Sequence, residues 1–238
     1  KKFIMERVTE TLGDLYGMHW PYKQHSTSRN QKLLPYHDEL KKAGACFGAT
    51  SGYERPMWYS LNGKYPKYEY SFSFQNWYPS AKYETINARK NVGLFDLSSF
   101  AKFDLKGENV NDELQKICTA NVKSTTGKTT YTQMLNESGG IEIDLSIVCI
   151  EKNYYRIVTS ANAREHDKAH IKKYLSSKVE LKDVTDEYCC FGLFGPNSRK
   201  MISKISKDDF SNENFKFGFA KFIKIKDIDV WAQRLSYV

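Results

Sequence analysis

The stretch YTQMLNESGGIEIDLSIV, residues 131–148, constrains this chain more than any other. Two apolar runs flank the polar segment Asn-Glu-Ser-Gly-Gly, which spells a β-hairpin. In the second arm, a period of two places Ile141, Ile143, Leu145 and Ile147 on one face. Glu142, Asp144 and Ser146 fall on the other. A strand this rich in β-branched residues fits a packed sheet. One face therefore lies on a core, and the opposite face carries a carboxylate at its centre. That carboxylate is either simply solvated or has chemistry to perform.

The regions around the hairpin read as alternating strands and helices without a strict β-α-β repeat. Ile4, Val8, Leu12 and Leu15 recur at helical spacing, which predicts a helix over 3–15, bounded by Gly17 and Pro21. From 20 to about 80 the chain is rich in aromatic residues, Gly and Pro, with little periodicity. A short helix over 37–43, closed by Gly44, is the only regular element expected there. From Ala81 onward the pattern predicts a helix ending at Gly93, a strand over 101–107 and an Asn-capped helix over 109–118. After the hairpin come a strand over 154–161, a helix over 163–175, strands over 179–185 and 188–195, and a helix over 196–206. One or two strands complete the tail, 222–238. The fold class is α+β, with mainly antiparallel sheets and flanking helices. We divide the chain into 1–20, an irregular linking module over 21–80, and a larger domain over 81–238.

Charge and motifs narrow the function. A net charge of +8 permits an anionic partner. The lysines are dispersed and no nucleic-acid motif occurs, so neither nucleic acid nor membrane is expected as a partner. Five cysteines, an odd number with no C-x-x-C pair, argue against a disulfide framework or a zinc site and suggest buried thiols in a reducing compartment. The cytoplasm is the expected location, or the mitochondrial matrix in a eukaryote. No G-x-G-x-x-G, P-loop, H-E-x-x-H or G-x-S-x-G pattern is present. His166 and His170 stand four apart on a helix, but no third metal ligand accompanies them, and no metal is assigned. The chain opens on Lys1 and closes within a strand-like run, so a piece of a longer polypeptide is expected.

Several longer motifs carry a resemblance. GLFDLSSFAKF (93–103) resembles the opening motif of the aminomethyltransferase (glycine-cleavage T-protein) folate-binding domain. LNESGGIEIDLSIV (135–148) is similar to its catalytic hairpin, and FGLFGPNS (191–198) to its later strand-to-helix turn. The likeness covers about 81–238. Upstream, residues 15–59 resemble the central module of FAD-dependent dimethylglycine and sarcosine dehydrogenases.

The resemblance implies a flavin domain preceding this segment, with 1–20 its last helix and FAD bound outside the chain. It implies tetrahydrofolate as the cofactor here. An iminium derived from an N-methyl amine would be captured as 5,10-methylenetetrahydrofolate. In the family pattern G-G-I-x-x-D-L, Asp144 takes the catalytic carboxylate's place and contacts folate, while Ile143 stands where relatives often carry a second carboxylate. Tyr131 would wall the pterin, or else pack in the core. Thr159 and Ser160 occupy the polar folate-contacting position at a strand end, where T-proteins tend to have Ser-Asn. Asp96 and Ser98 either serve the site or form a turn. The family's folate-binding Glu lies beyond Val238, which would leave folate binding by this segment weak and its sheet unfinished. Two alternatives stay open: a flavin-independent T-protein-like aminomethyltransferase or demethylase, and a non-catalytic folate-binding or scaffold module.

Overall fold

The computed structural model describes residues 1–18, 20, 23–61 and 63–236. In chain order the elements are α1 (Lys2–Asp14), β1 (Lys32–Leu33), α2 (His37–Lys42), β2 (Ala45–Thr50), β3 (Tyr53–Tyr59), α3 (Tyr78–Lys90) and β4 (Gly93–Asp96). Next come β5 (Ala101–Gly107), α4 (Val110–Ile117), β6 (Thr129–Leu135), β7 (Ile141–Glu151), β8 (Tyr154–Thr159) and α5 (Arg164–Tyr174). The chain continues with β9 (Val179–Asp183), β10 (Phe191–Phe194), α6 (Ser198–Ile202), β11 (Ala220–Ile225) and β12 (Ile228–Gln233). They form two units, Lys1–Ser99 with Phe191–Pro196, and Phe100–Cys190 with Asn197–Val238. The expected α+β class with mainly antiparallel sheets is what the chain adopts.

The second unit is built on a five-stranded sheet in the order β6-β7-β8-β5-β9, antiparallel throughout. The period of two in β5, β7 and β8 turns Phe103, Leu105, Leu145, Ile147, Tyr155 and Ile157 into one core. Val110 and Leu114, four apart on α4, and Ile171 on α5 complete it. Each such side chain contributes about 1.5–3 kcal/mol on burial, so this face fixes the register of every strand. The tip of the β6–β7 hairpin is held by Asn136, whose Oδ1 accepts the amides of Ser138 (3.0 Å) and Gly140 (2.9 Å). A smaller core of Phe210, Phe215 and Ile223 lies against the β11–β12 hairpin. Gly127 joins this hairpin to the main sheet. Its N–H donates to the Cys149 carbonyl and its own carbonyl accepts from Ala220 N, both at 2.7 Å.

The first unit holds a three-stranded sheet, β1-β3-β2, with β1 parallel and β2 antiparallel to β3. The sequence shows no periodicity there, for physical reasons. The strands are short, and β3 bulges at Met57, where the register steps from Cys46–Trp58 to Phe47–Pro56. Cohesion comes instead from irregularly spaced aromatic side chains. Tyr68 stacks on Tyr70 and meets Trp77 and Trp58 edge-on. The buried Glu54 carboxylate takes Nε of Arg29 and the amide of Asn30, each at 2.8 Å. A second pair, β4 with β10, is antiparallel.

Several local expectations are corrected. α3 begins at Tyr78, with Pro79 in its first turn, and ends at Lys90; Gly93 opens β4 instead of closing a helix. Asn109 precedes α4 in the left-handed region (φ 63°) and makes no side-chain cap bond. Cys46, Cys118 and Cys149 are buried, but Cys189 is exposed and Cys190 half-buried; none is in a disulfide. The tail strand closes at Gln233, and Tyr237 and Val238 lie outside the described residues. Among the described residues no helix is long and apolar enough to cross a membrane.

Gly127 has φ +78°, and a Cβ there would stand 2.4 Å from the Ala220 carbonyl oxygen. Gly139 has a similar φ of +82° but open space around it. Gly139→Ala should cost about 1–2 kcal/mol for its backbone alone. Gly127→Ala should cost that plus a further 1–3 kcal/mol or so for overpacking. Urea midpoints of the two variants measure the difference, and equal values would mean that the junction yields without cost.

Candidate functional site

The face of the five-stranded sheet opposite the core is polar. Strand register places Tyr131 opposite Ser146 and Gln133 opposite Asp144. It carries the same face across Val158 on β8 to Lys102 on β5, and sets Arg156 opposite Asp104. Asp144 is exposed, and its Oδ1 accepts a 3.2 Å bond from Gln133 Nε2. Tyr131 is 64% exposed and takes no part in the core. As diagonal neighbours on one face of an antiparallel pair, Tyr131 and Asp144 lie about 7–8 Å apart. An aromatic ring and a carboxylate can therefore meet one flat, polar-edged ligand.

The rest of this face is electrostatically organised. Arg156 binds Asp104 through two bonds, Nε to Oδ1 at 2.6 Å and Nη2 to Oδ2 at 2.8 Å. Its guanidinium stacks 4.1 Å from the Tyr188 ring centroid. The pair is buried and matched, so it holds strands β5 and β8 in register. Lys102 is only 4% exposed, and its Nζ donates to the Phe100 carbonyl at 2.7 Å. Burial draws the Lys102 pKa down, against the opposing pull of Cys190 and Asp186. The sequence reading did not single out Gln133, Arg156, Asp104 or Lys102. The signal was there, since Lys102 and Asp104 alternate with core residues in β5, and Arg156 does so in β8.

The structure separates Thr159 from this face. It is 3% exposed, its hydroxyl donates to the buried Asp167 of α5, and it lies 3.4 Å from the Asp144 carbonyl oxygen. Ser160 follows at the exposed end of β8, and its hydroxyl bonds to Asn162. Asp96 and Ser98, in the other unit, form a turn in which Asp96 Oδ1 accepts the Ser98 amide at 2.9 Å. Glu142 also leaves the Asp144 face. The β6–β7 register steps from Met134–Ile143 to Leu135–Ile141, and this bulge turns Ile141 outward. Glu142 is thereby free to reach α5, where its Oε2 meets His166 Nε2 at 3.1 Å. The other ring nitrogen, Nδ1, lies 3.0 Å from Asp167 Oδ1. The two nitrogens of His166 thus serve two carboxylates.

The second unit is thus an α+β domain built on an antiparallel sheet with one packed face and one charged, partly open face. The GCVT N-terminal domain model matches residues 36–238, and the FAD dependent oxidoreductase central domain model matches 1–33. The chain belongs to the GCVT N-terminal domain family. It is 36% identical to the 4-methylaminobutanoate oxidase (formaldehyde-forming) of Paenarthrobacter nicotinovorans, covering 100% of this chain and 29% of that protein. It is 32% identical to the mitochondrial dimethylglycine dehydrogenase of Rattus norvegicus, covering 99% and 28%. The chain thus spans less than a third of the length of these relatives. In fold it is similar to the glycine cleavage system aminomethyltransferase T of Bartonella henselae, with a TM-score of 0.69 and 23% identity, over 87% of this chain and 50% of that one.

The Glu142–His166–Asp167 link gives a pH-dependent expectation. The Asp167 hydrogen bond, with help from Glu142, raises the His166 pKa above its ordinary 6.5. The stabilisation this brings is complete below 6.5 and is lost as pH climbs through the higher folded value. Glu142 is held below its ordinary 4.5, chiefly by Asn136, so its share is lost as pH falls beneath that. The Glu142–His166 contact therefore has both of its groups charged between about pH 4.5 and 6.5. An NMR titration should give His166 an apparent pKa above 6.5, moving toward it in Glu142→Gln. An unshifted wild-type value would mean that the link does not hold in solution.

Proposed function

We propose that this chain is the folate-binding, one-carbon-capturing part of an FAD-dependent amine dehydrogenase of the dimethylglycine/sarcosine type. The observation that carries the reading is the exposed Asp144 carboxylate, on the same sheet face as the exposed Tyr131 ring, in a chain of this family. The relatives' names, dehydrogenases and oxidases of N-methylated amines, support it. Residues 1–20 are assigned to the end of a flavin domain, 21–80 to the linking module and 81–238 to the folate domain. FAD is assigned outside these residues, and the substrate is an N-methyl amine that supplies an iminium.

Tetrahydrofolate, when bound, would supply the two N–H nucleophiles that take up the one-carbon unit of the iminium as 5,10-methylenetetrahydrofolate; the bond from that carbon to the amine nitrogen breaks, one N–H proton leaves on the demethylated amine and the other passes to a base. The residues present fit such a ligand. Tyr131 offers a flat wall for a pterin ring, and Asp144 beside it offers an acceptor for a polar N–H edge. An ionised Asp144 attracts the cationic iminium and takes up or relays the proton that a nitrogen loses as it attacks carbon. Gln133 orients the carboxylate from the neighbouring strand. Thr159 supports it from behind, through the backbone of Asp144, and Ser160 offers its hydroxyl at the end of β8.

In the full-length protein, Asp144→Asn should lower folate-dependent one-carbon transfer by about 10²–10⁴-fold. Its folding stability should stay within about 0.5 kcal/mol, because the side chain is exposed. The readout is 5,10-methylenetetrahydrofolate formed per amine oxidised, with unfolding measured alongside. Transfer at the wild-type rate would remove the catalytic role from Asp144. Tyr131→Ala should weaken the thermal stabilisation by tetrahydrofolate while sparing amine oxidation.

A further inference from the structure

Among the described residues three arginines hold carboxylates, Arg29 with Glu54, Arg156 with Asp104, and Arg164 with Asp183 and Asp186, and several others, Arg7, Arg55 and Arg89 among them, form no ion pair. Arg199 on α6 and Arg234 just beyond β12 are also without one. Both donate Nη2 to one neutral acceptor, Oδ1 of Asn212, each at 2.7 Å. Arg234 Nη1 donates to the Phe215 carbonyl, which fixes that side chain to the loop before β11. Both lone pairs of the amide oxygen are thus taken by charged donors. An amide oxygen carries only partial charge, so two full positive charges stand side by side without a counter-ion among the described residues.

The carboxylates of the same loop are committed elsewhere. Asp208 accepts Lys224 N at 2.8 Å and Ser206 Oγ at 3.0 Å. Asp209 accepts Ser211 N at 2.7 Å and Asn214 Nδ2 at 2.6 Å. Glu213, beside Asn212, is exposed and forms no ion pair with either arginine among the described residues.

We propose that Arg199 and Arg234, spaced by Asn212, form a binding site for an oxyanion, the carboxylate or phosphate group of a small ligand. A guanidinium presents five N–H donors in a planar fork matched to such groups, and most of those donors here are not used by the loop. The site is built wholly within the second unit and does not depend on the role assigned to Asp144.

Calorimetric titration of the chain with sodium phosphate and, separately, sodium succinate, at ionic strength fixed with sodium chloride, tests this. Saturable binding of at least one probe is expected, and the preferred probe tells phosphate from carboxylate. Arg199→Gln should weaken binding on the order of tenfold, the worth of one charged hydrogen bond. Asn212→Asp should abolish it by supplying the anion from within, and should leave the fold intact by circular dichroism. Binding no stronger than in the chloride blank, or equal binding in the wild type and both folded variants, would overturn the proposal.

Discussion

Everything in the second unit depends on the alternation of β7 and its neighbours. A strand has two faces, and burying one against α4 and α5 determines what the other displays. Because Leu145 and Ile147 are fixed in the core, Asp144 and Ser146 are presented outward. The same logic, passed through the register of β8 and β5, gathers residues from four strands onto one charged surface. A one-residue slip would exchange the two faces and bury the carboxylate in hydrocarbon, so the core enforces the geometry of the site with most of its hydrophobic free energy.

That surface is also prepared before any ligand arrives. The Arg156–Asp104 pair cancels its own charge at close range, and the Tyr188 ring covers one face of the guanidinium. A matched buried pair adds little net stability after desolvation, whereas loss of either partner would strand a buried charge. Its contribution here is to keep β5 and β8 aligned while adding little long-range field near Asp144. Lys102, desolvated on the same face, loses its proton more easily than an ordinary lysine.

The parts legible in the sequence were those governed by regular periods. The β6–β7 hairpin and the helix α1 follow from apolar spacing, and Asp144 was visible because it interrupts such a run. What escaped the reading was irregular. One extra residue in β7 swung Glu142 from the face its parity assigns it to the helix side. The strands β2 and β3 hid behind a proline and a bulge, and the aromatic cluster around Tyr68 has no period to detect. Thr159 shows another limit. Its place next to the end of a strand was readable, but its buried carboxylate partner is supplied by a helix whose docking no local pattern encodes.

Gly127 ties the small hairpin to the large sheet through both of its backbone polar groups, and Thr129 N adds a bond to the Gly218 carbonyl. The core against the hairpin has three buried side chains among the described residues, Phe210, Phe215 and Ile223, against more than a dozen beneath the main sheet. Cooperative units of such unequal size open at unequal free energies. The β11–β12 hairpin, with the smaller core, is therefore expected to open at a lower free energy than the main sheet of the same unit. Within this unit the strand that carries Asp144 belongs to the part with the larger core, and so to the part that opens at the higher free energy.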